Sequence, residues 1–129
     1  MRILNKVLLI LTVILVFSNI AFAEDKVNVY YFYGKPRCTT CTKIENYTKS
    51  AVISMNDKNV VFKGVDMDNP DKIAMVKKYN LFTKSVIISK VKNNKEQWKN
   101  LDKIWLKAGN EKEFKTYIIN EIKTLKGIK

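Results

Sequence analysis

Gly34-Lys35-Pro36-Arg37-Cys38-Thr39-Thr40-Cys41 holds both cysteines of the chain, three positions apart, and its setting decides the fold. Before it lies Val27-Asn28-Val29-Tyr30-Tyr31-Phe32-Tyr33, rich in β-branched and aromatic residues and so strand-forming. After it, Ile44, Tyr47, Ala51 and Met55 recur at helical intervals, with Lys43, Glu45, Asn46, Lys49 and Ser50 on the opposite side. Gly34 and Pro36 end the strand, because proline offers no N–H to a ladder and biases Lys35 toward extended backbone. The expectation is strand, tight loop, then a helix beginning near Cys38 that carries Cys-x-x-Cys in its first turn. In that setting the pair becomes a redox hypothesis.

Working outward, residues 27–33 are apolar on both faces, as expected of a central strand covered by helices on each side. Residues 59–66 form a second strand, with Val60, Val61, Phe62 and Val65 as core. Asp68-Asn69-Pro70 supplies a cap followed by proline at the first helical position, which opens a short helix over 70–79 that buries Ile73 and Val76. Residues 85–91 form a third strand. Lys92-Asn93-Asn94-Lys95 reads as a hairpin turn into an antiparallel fourth strand over 96–101 that carries Trp98. In 102–109, Ile104, Trp105 and Leu106 pack under a loop or a single helical turn. Asn110 and Glu113 then make a capping-box start for a closing helix whose stripe is Phe114, Tyr117, Ile118, Ile122 and Leu125.

The first residues read as a leader. Arg2 and Lys6 precede an apolar run over 7–17, too short for the roughly 20 residues of a spanning helix, and Ala21-Phe22-Ala23 is a small-x-small cleavage pattern. Cleavage after Ala23 leaves one domain over 24–129, exported to a periplasmic or secreted location where disulfides persist; an uncleaved N-terminal membrane anchor is the alternative. No cysteine stands at the cleavage site, so no lipoprotein anchor is indicated.

The 129 residues carry a net charge of +12, or +10 once Arg2 and Lys6 are removed, and 47% are hydrophobic, enough for one packed core. The lysines are interleaved with acids rather than collected in blocks, which fits a solvated surface and not a nucleic-acid-binding tail.

The order β-α-β-α-β-β-α with Cys-x-x-Cys at the first helix resembles the thioredoxin fold in its reduced, four-stranded form: α/β, a mixed sheet with helices on both faces. Within that superfamily, Tyr30-Tyr31-Phe32-Tyr33-Gly34 followed by Arg37-Cys38, Thr40-Cys41 and Ile44-Glu45 is similar to small exported ArsF-like proteins, also labelled nitrophenyl-compound nitroreductase subunits. Nothing in the chain looks like a flavin or nicotinamide site, and no cofactor is expected. The resemblance implies protein disulfides or dithiols as substrates, a membrane thiol-electron donor as a possible partner, and a monomer.

A thiol attacks as thiolate, and a helix start stabilises that anion through free N–H groups and the macrodipole. Cys38 is therefore the attacking thiol and Cys41, one turn further in, the resolving one. Lys35 and Arg37 add positive charge beside Cys38, Pro36 shapes the loop, and Thr39 and Thr40 tune the pair. An inert local disulfide closes too short a loop to constrain the unfolded chain much. A metal or metalloid site would begin with only two thiolates, in a chain without histidine. A non-catalytic subunit that keeps the fold for contact alone is the remaining alternative.

Departures from the thioredoxin pattern are as telling as the matches. The buried acid that thioredoxins bear six residues before the first cysteine is Phe32 here, so Cys41 needs another proton partner. Lys63 falls where thioredoxins often keep a lysine near the pair. Opposite the pair, where the family places a cis-proline before the third strand, this chain has Thr83-Lys84-Ser85. A cis bond there is not expected without proline. Substrate docking must differ, and the sulfurs lose their shield against metal.

Overall fold

The structure, a computed structural model, describes Ile3 and residues 25–127. The expected leader and its cleavage after Ala23 lie outside the described residues.

Strand β1 (Val27–Tyr33) leads to helix α1 (Thr39–Met55), strand β2 (Val60–Asp66), a 3₁₀ turn (Pro70–Lys72) and helix α2 (Ile73–Lys78). Strands β3 (Ser85–Lys92) and β4 (Lys95–Asn100), a one-turn helix α3 (Ile104–Lys107) and helix α4 (Glu111–Lys126) complete the chain. The sheet order is β2-β1-β3-β4. β1 runs parallel to β2, with Val27 opposite Val60, and antiparallel to β3, with Phe32 opposite Ser85. This is the four-stranded thioredoxin-like fold, with one added helical turn before the last helix.

Alternation along β1 divides the core in two. Val27, Val29 and Tyr31 face α1 and α4, where Ile44, Ala51, Val52, Phe114, Ile118 and Ile122 close the larger cluster. Tyr47 of α1 meets Phe114 of α4 edge-on at 5.6 Å. Phe32 faces the other way, into a smaller cluster with Val65, Tyr79, Leu81 and Ile87 that α2 covers through Met75 and Val76. Both faces of β1 thus pack against helices, with Asn28, Tyr30 and Tyr33 half-buried.

Local signals land where the sequence puts them. Asn69 caps the 3₁₀ turn by accepting from Asp71 N, and Asn110 caps α4 by accepting from Glu113 N. Asn93 and Asn94 both adopt positive φ, the geometry of a primed hairpin turn.

Core expectations are corrected at three places. On the edge strand β2, Val61 is half-buried and not core. Ile73 is 47% exposed, because a helix of one and a half turns seals its face with Met75, Val76 and the following Tyr79, leaving its first residue turned outward. In α3 only Ile104 is buried; Trp105 is half-exposed and Leu106 is 85% exposed, since one turn presents one side chain to the core. The α1 stripe also extends to Thr48, whose hydroxyl donates to Ile44 O at 2.7 Å and so can be buried without an orphaned polar group.

Candidate active site

The end of β1 delivers the chain to the site. Met67 N donates to Tyr33 O at 2.8 Å, holding β1 and the exit of β2 together. Asp68 then turns its carboxylate to Lys35 N at 2.9 Å and pins the loop before the cysteines. The Lys35–Pro36 bond is cis, and among the described residues it is the chain's cis peptide; the Thr83–Lys84 bond is trans, as expected without proline.

Cys38 is the N-cap of α1, with extended backbone, and its sulfur accepts the N–H of Cys41 at 3.1 Å. That places a sulfur where an Asp or Ser oxygen ordinarily caps a helix, against unpaired N–H groups and the positive end of the macrodipole. The two sulfurs are joined in a disulfide. They differ sharply in access: Cys38 is exposed, whereas Cys41 is 2% exposed. Thr39 and Thr40 are both exposed on the first turn, and Thr42 closes that turn by donating its N–H and hydroxyl to Cys38 O.

Tyr31, buried in the larger cluster, donates its hydroxyl to Cys41 O at 3.0 Å and so fixes the inner cysteine from β1. Burial, and then the Glu45 carboxylate, push the Tyr31 phenol above its ordinary range, partly offset by Arg37, so it stays a donor at neutral pH.

Arg37 lies otherwise than the sequence suggests. Its guanidinium pairs with Glu45 at 2.6 Å and stacks 4.2 Å over the Tyr33 ring. Its charge is thus largely answered by a carboxylate one helical turn beyond Cys41, and what remains for the Cys38 sulfur is the helix start itself. Lys63 is not brought to the pair by any contact seen: its ammonium stands 6.0 Å from the Tyr30 ring, on the exposed side of β2. Phe32 fills the position of the missing acid with a ring wholly inside the smaller cluster.

From the loop opposite the pair, Lys84 is the residue that reaches Cys41. Thr83 is exposed, and its carbonyl accepts the Ser85 hydroxyl at 2.8 Å. Lys84, half-buried, extends its ammonium to Pro36 O and to the Cys41 sulfur, which it reaches at 3.4 Å. The sequence singles out Lys84 by what it replaces; its partner across 43 positions carries no local signal. Tyr31, Glu45 and Asp68 escape a sequence-based choice of site residues for the same reason.

The arrangement can therefore take attack at Cys38 and release a thiolate at Cys41. As for metals, no group of three or more His, Cys, Asp or Glu side chains lies together among the described residues.

No protein-family model matches the chain, and no curated protein matches it. Among solved structures, Trichomonas vaginalis thioredoxin is similar, with a TM-score of 0.45 and 21% identity over 67% of this chain and 78% of that one. A malarial protein is similar over 58% of this chain and 80% of its own, with a TM-score of 0.42 and 22% identity.

Proposed function

We propose that the chain is an exported thiol-disulfide oxidoreductase that cycles Cys38 and Cys41 between dithiol and disulfide. The observation that carries this reading is the asymmetry of the pair: an exposed sulfur at a helix N-cap, bonded to a buried one a turn inside. A structural staple has no use for an exposed member, and a bridge over so short a loop removes little unfolded-chain entropy.

In the reducing direction, the Cys38 thiolate attacks a substrate disulfide, forming a mixed disulfide and expelling one substrate thiolate. Cys41 thiolate then attacks Cys38 Sγ, expelling the second and restoring the Cys38–Cys41 bond, with two electrons passed to the substrate. The oxidising direction runs these steps backwards. Substrates are protein disulfides or dithiols, met as a monomer, with a membrane thiol-electron donor as partner if the chain works as a reductant. Residues 1–23 act as the leader, so the exported protein begins at Glu24; its mass in the periplasmic or secreted fraction tests this. The narrower likeness to ArsF-like proteins rests on the Tyr30–Glu45 run and supplies no substrate.

Capture of a soft metal by the dithiol is the weaker reading, because the Lys84 ammonium stands 3.4 Å from the Cys41 sulfur and repels a cation there. The deciding experiment equilibrates the protein with glutathione buffers and traps free thiols by alkylation, alongside insulin reduction. A single two-electron equilibrium, abolished in Cys38→Ser, is expected. A pair that stays oxidised across the whole buffer range, or unaltered activity in Cys38→Ser, overturns the proposal.

A further inference from the structure

The buried sulfur of a dithiol pair has to carry negative charge at two moments, as leaving group when the disulfide opens and as nucleophile when it closes. Cys41 does so in a place from which water is nearly excluded, and burial of an unpaired thiolate is costly. An acid at position 32 cannot help, because Phe32 occupies it and points into the smaller apolar cluster. Among the described residues, the charged and titratable groups around Cys41 can be named element by element. On β1, Tyr31 donates to the Cys41 carbonyl and not to its sulfur. On α1, Glu45 is taken up by Arg37 of the preceding loop. Beyond β2, Asp68 is held on Lys35 N. From the residue before β3, the Lys84 ammonium stands 3.4 Å from Cys41 Sγ.

We infer that Lys84 is the counter-charge of the resolving thiol, holding the Cys41 sulfur as thiolate whenever the disulfide is open. The inference rests on the redox reading for its use, but the contact it names exists independently of any substrate. A second bond anchors Lys84 in this position, since the same ammonium donates to Pro36 O and is thereby fixed between the loop and the sulfur. The site thus has two distinct anion supports, helix N–H groups for Cys38 and a cation for Cys41.

When an external thiolate attacks Cys38 Sγ, a bond forms between those sulfurs, the Cys38–Cys41 bond breaks, and its electron pair leaves on Cys41 Sγ. Lys84 meets that charge without a proton transfer. A second external thiolate then attacks the outer sulfur of the mixed disulfide and releases Cys38 thiolate; two electrons have entered the pair and the external thiols leave as a disulfide. In reverse, Cys41 is already ionised when it must attack. Stabilising the open form also makes the pair a stronger oxidant, since the potential follows the relative stability of dithiol and disulfide.

The test removes the charge while keeping the shape. In the Cys38→Ser background, where Cys41 is the chain's remaining cysteine, its ionisation is followed by ultraviolet thiolate absorbance with Lys84 intact, with Lys84→Gln and with Lys84→Arg. Loss of an adjacent cation is expected to raise the Cys41 titration by about one to three pH units in Lys84→Gln, and Lys84→Arg is expected to restore most of it. In the two-cysteine protein, each pH unit of that shift that lies below the working pH makes the pair up to about tenfold harder to reduce with glutathione, a potential lower by ~30 mV. A Cys41 titration unchanged in Lys84→Gln overturns the inference, as does Lys84→Arg behaving like Lys84→Gln, which would assign Lys84 to packing. Because the titration needs no turnover, it decides the role of Lys84 even if the glutathione equilibrium sinks the oxidoreductase reading.

Discussion

Tyr31 donates its hydroxyl to the backbone carbonyl of Cys41 at 3.0 Å, joining the centre of the sheet to the first turn of α1. The ring is buried among Val29, Val86 and the inner residues of α1, so the bond forms away from competing water. Tyr31→Phe keeps the ring and deletes the donor. The oxidised protein is expected to lose about 1 kcal/mol in urea denaturation, the usual net worth of one such bond. An unchanged midpoint would show that the carbonyl is satisfied by the helix alone.

On the other face, Glu96 gathers three donors. Its carboxylate accepts the hydroxyls of Tyr79 and Ser89, each at 2.6 Å, and pairs with Lys78, so that α2, β3 and β4 meet at one side chain. Burial pushes the Glu96 carboxyl up, but the bonds from Lys78, Ser89 and Tyr79 together hold it below its ordinary 4.5. A depressed folded-state value means the stabilisation is present above pH 4.5 and is lost as pH falls through the folded value. Asp57 follows the same sign, lowered from 3.8 by Lys126 and by Asn59 N. Thermal midpoints are therefore expected to fall on acidification below about pH 4.5 and to fall less steeply in Glu96→Gln. At neutral pH, Glu96→Ala should cost about 1.5–3 kcal/mol, the range for hydrogen bonds to a charged group.

What the sequence disclosed and what it hid divide along one physical line. Cys-x-x-Cys at a helix start, the Asn110 cap and the Asn93-Asn94 turn are settled by neighbours within a few positions, and the structure has them there. The antiparallel β3–β4 pair is legible from its turn, whereas the order β2-β1-β3-β4 rests on pairings between strands far apart in sequence. The electrostatics of the site did not follow. Arg37 stands next to Cys38 in sequence yet gives its charge to Glu45, while Lys84, far away in sequence, gives its own to Cys41. Adjacency says nothing about where a long flexible cation points. The short helices were obscure for a different reason: six residues in α2 and four in α3 are too few for a periodicity to tell Ile73 or Leu106 which way to face.

The β3–β4 turn offers a test of the left-handed backbone. Asn94 sits at φ 61°. Asparagine tolerates this region and alanine does so at a cost of roughly 1–2 kcal/mol. Asn94→Ala should lower the urea midpoint accordingly and Asn94→Gly should not, whereas equal losses would indicate that the Asn94 side chain, not its backbone, stabilises the hairpin.

The last expectation concerns the position where thioredoxins keep their acid. Phe32 is fully buried, packs edge-on against Tyr79 at 5.9 Å, and shares its cluster with Val65, Leu81 and Ile87. None of these offers a hydrogen bond to a carboxylate except the Tyr79 hydroxyl, already committed to Glu96. Restoring the acid by Phe32→Asp therefore deletes a core ring and buries an unpaired carboxyl together. Phe32→Ala alone should cost about 3–5 kcal/mol, and Phe32→Asp more, with the difference growing as pH rises and the carboxyl must ionise. Phe32→Leu, which nearly keeps the volume, should cost less than ~1.5 kcal/mol and leave the glutathione equilibrium of the pair unchanged. If Phe32→Asp instead folds stably and speeds disulfide exchange, the core must admit water behind Cys41, and the apolar cluster would not be what separates this site from an acid-assisted one.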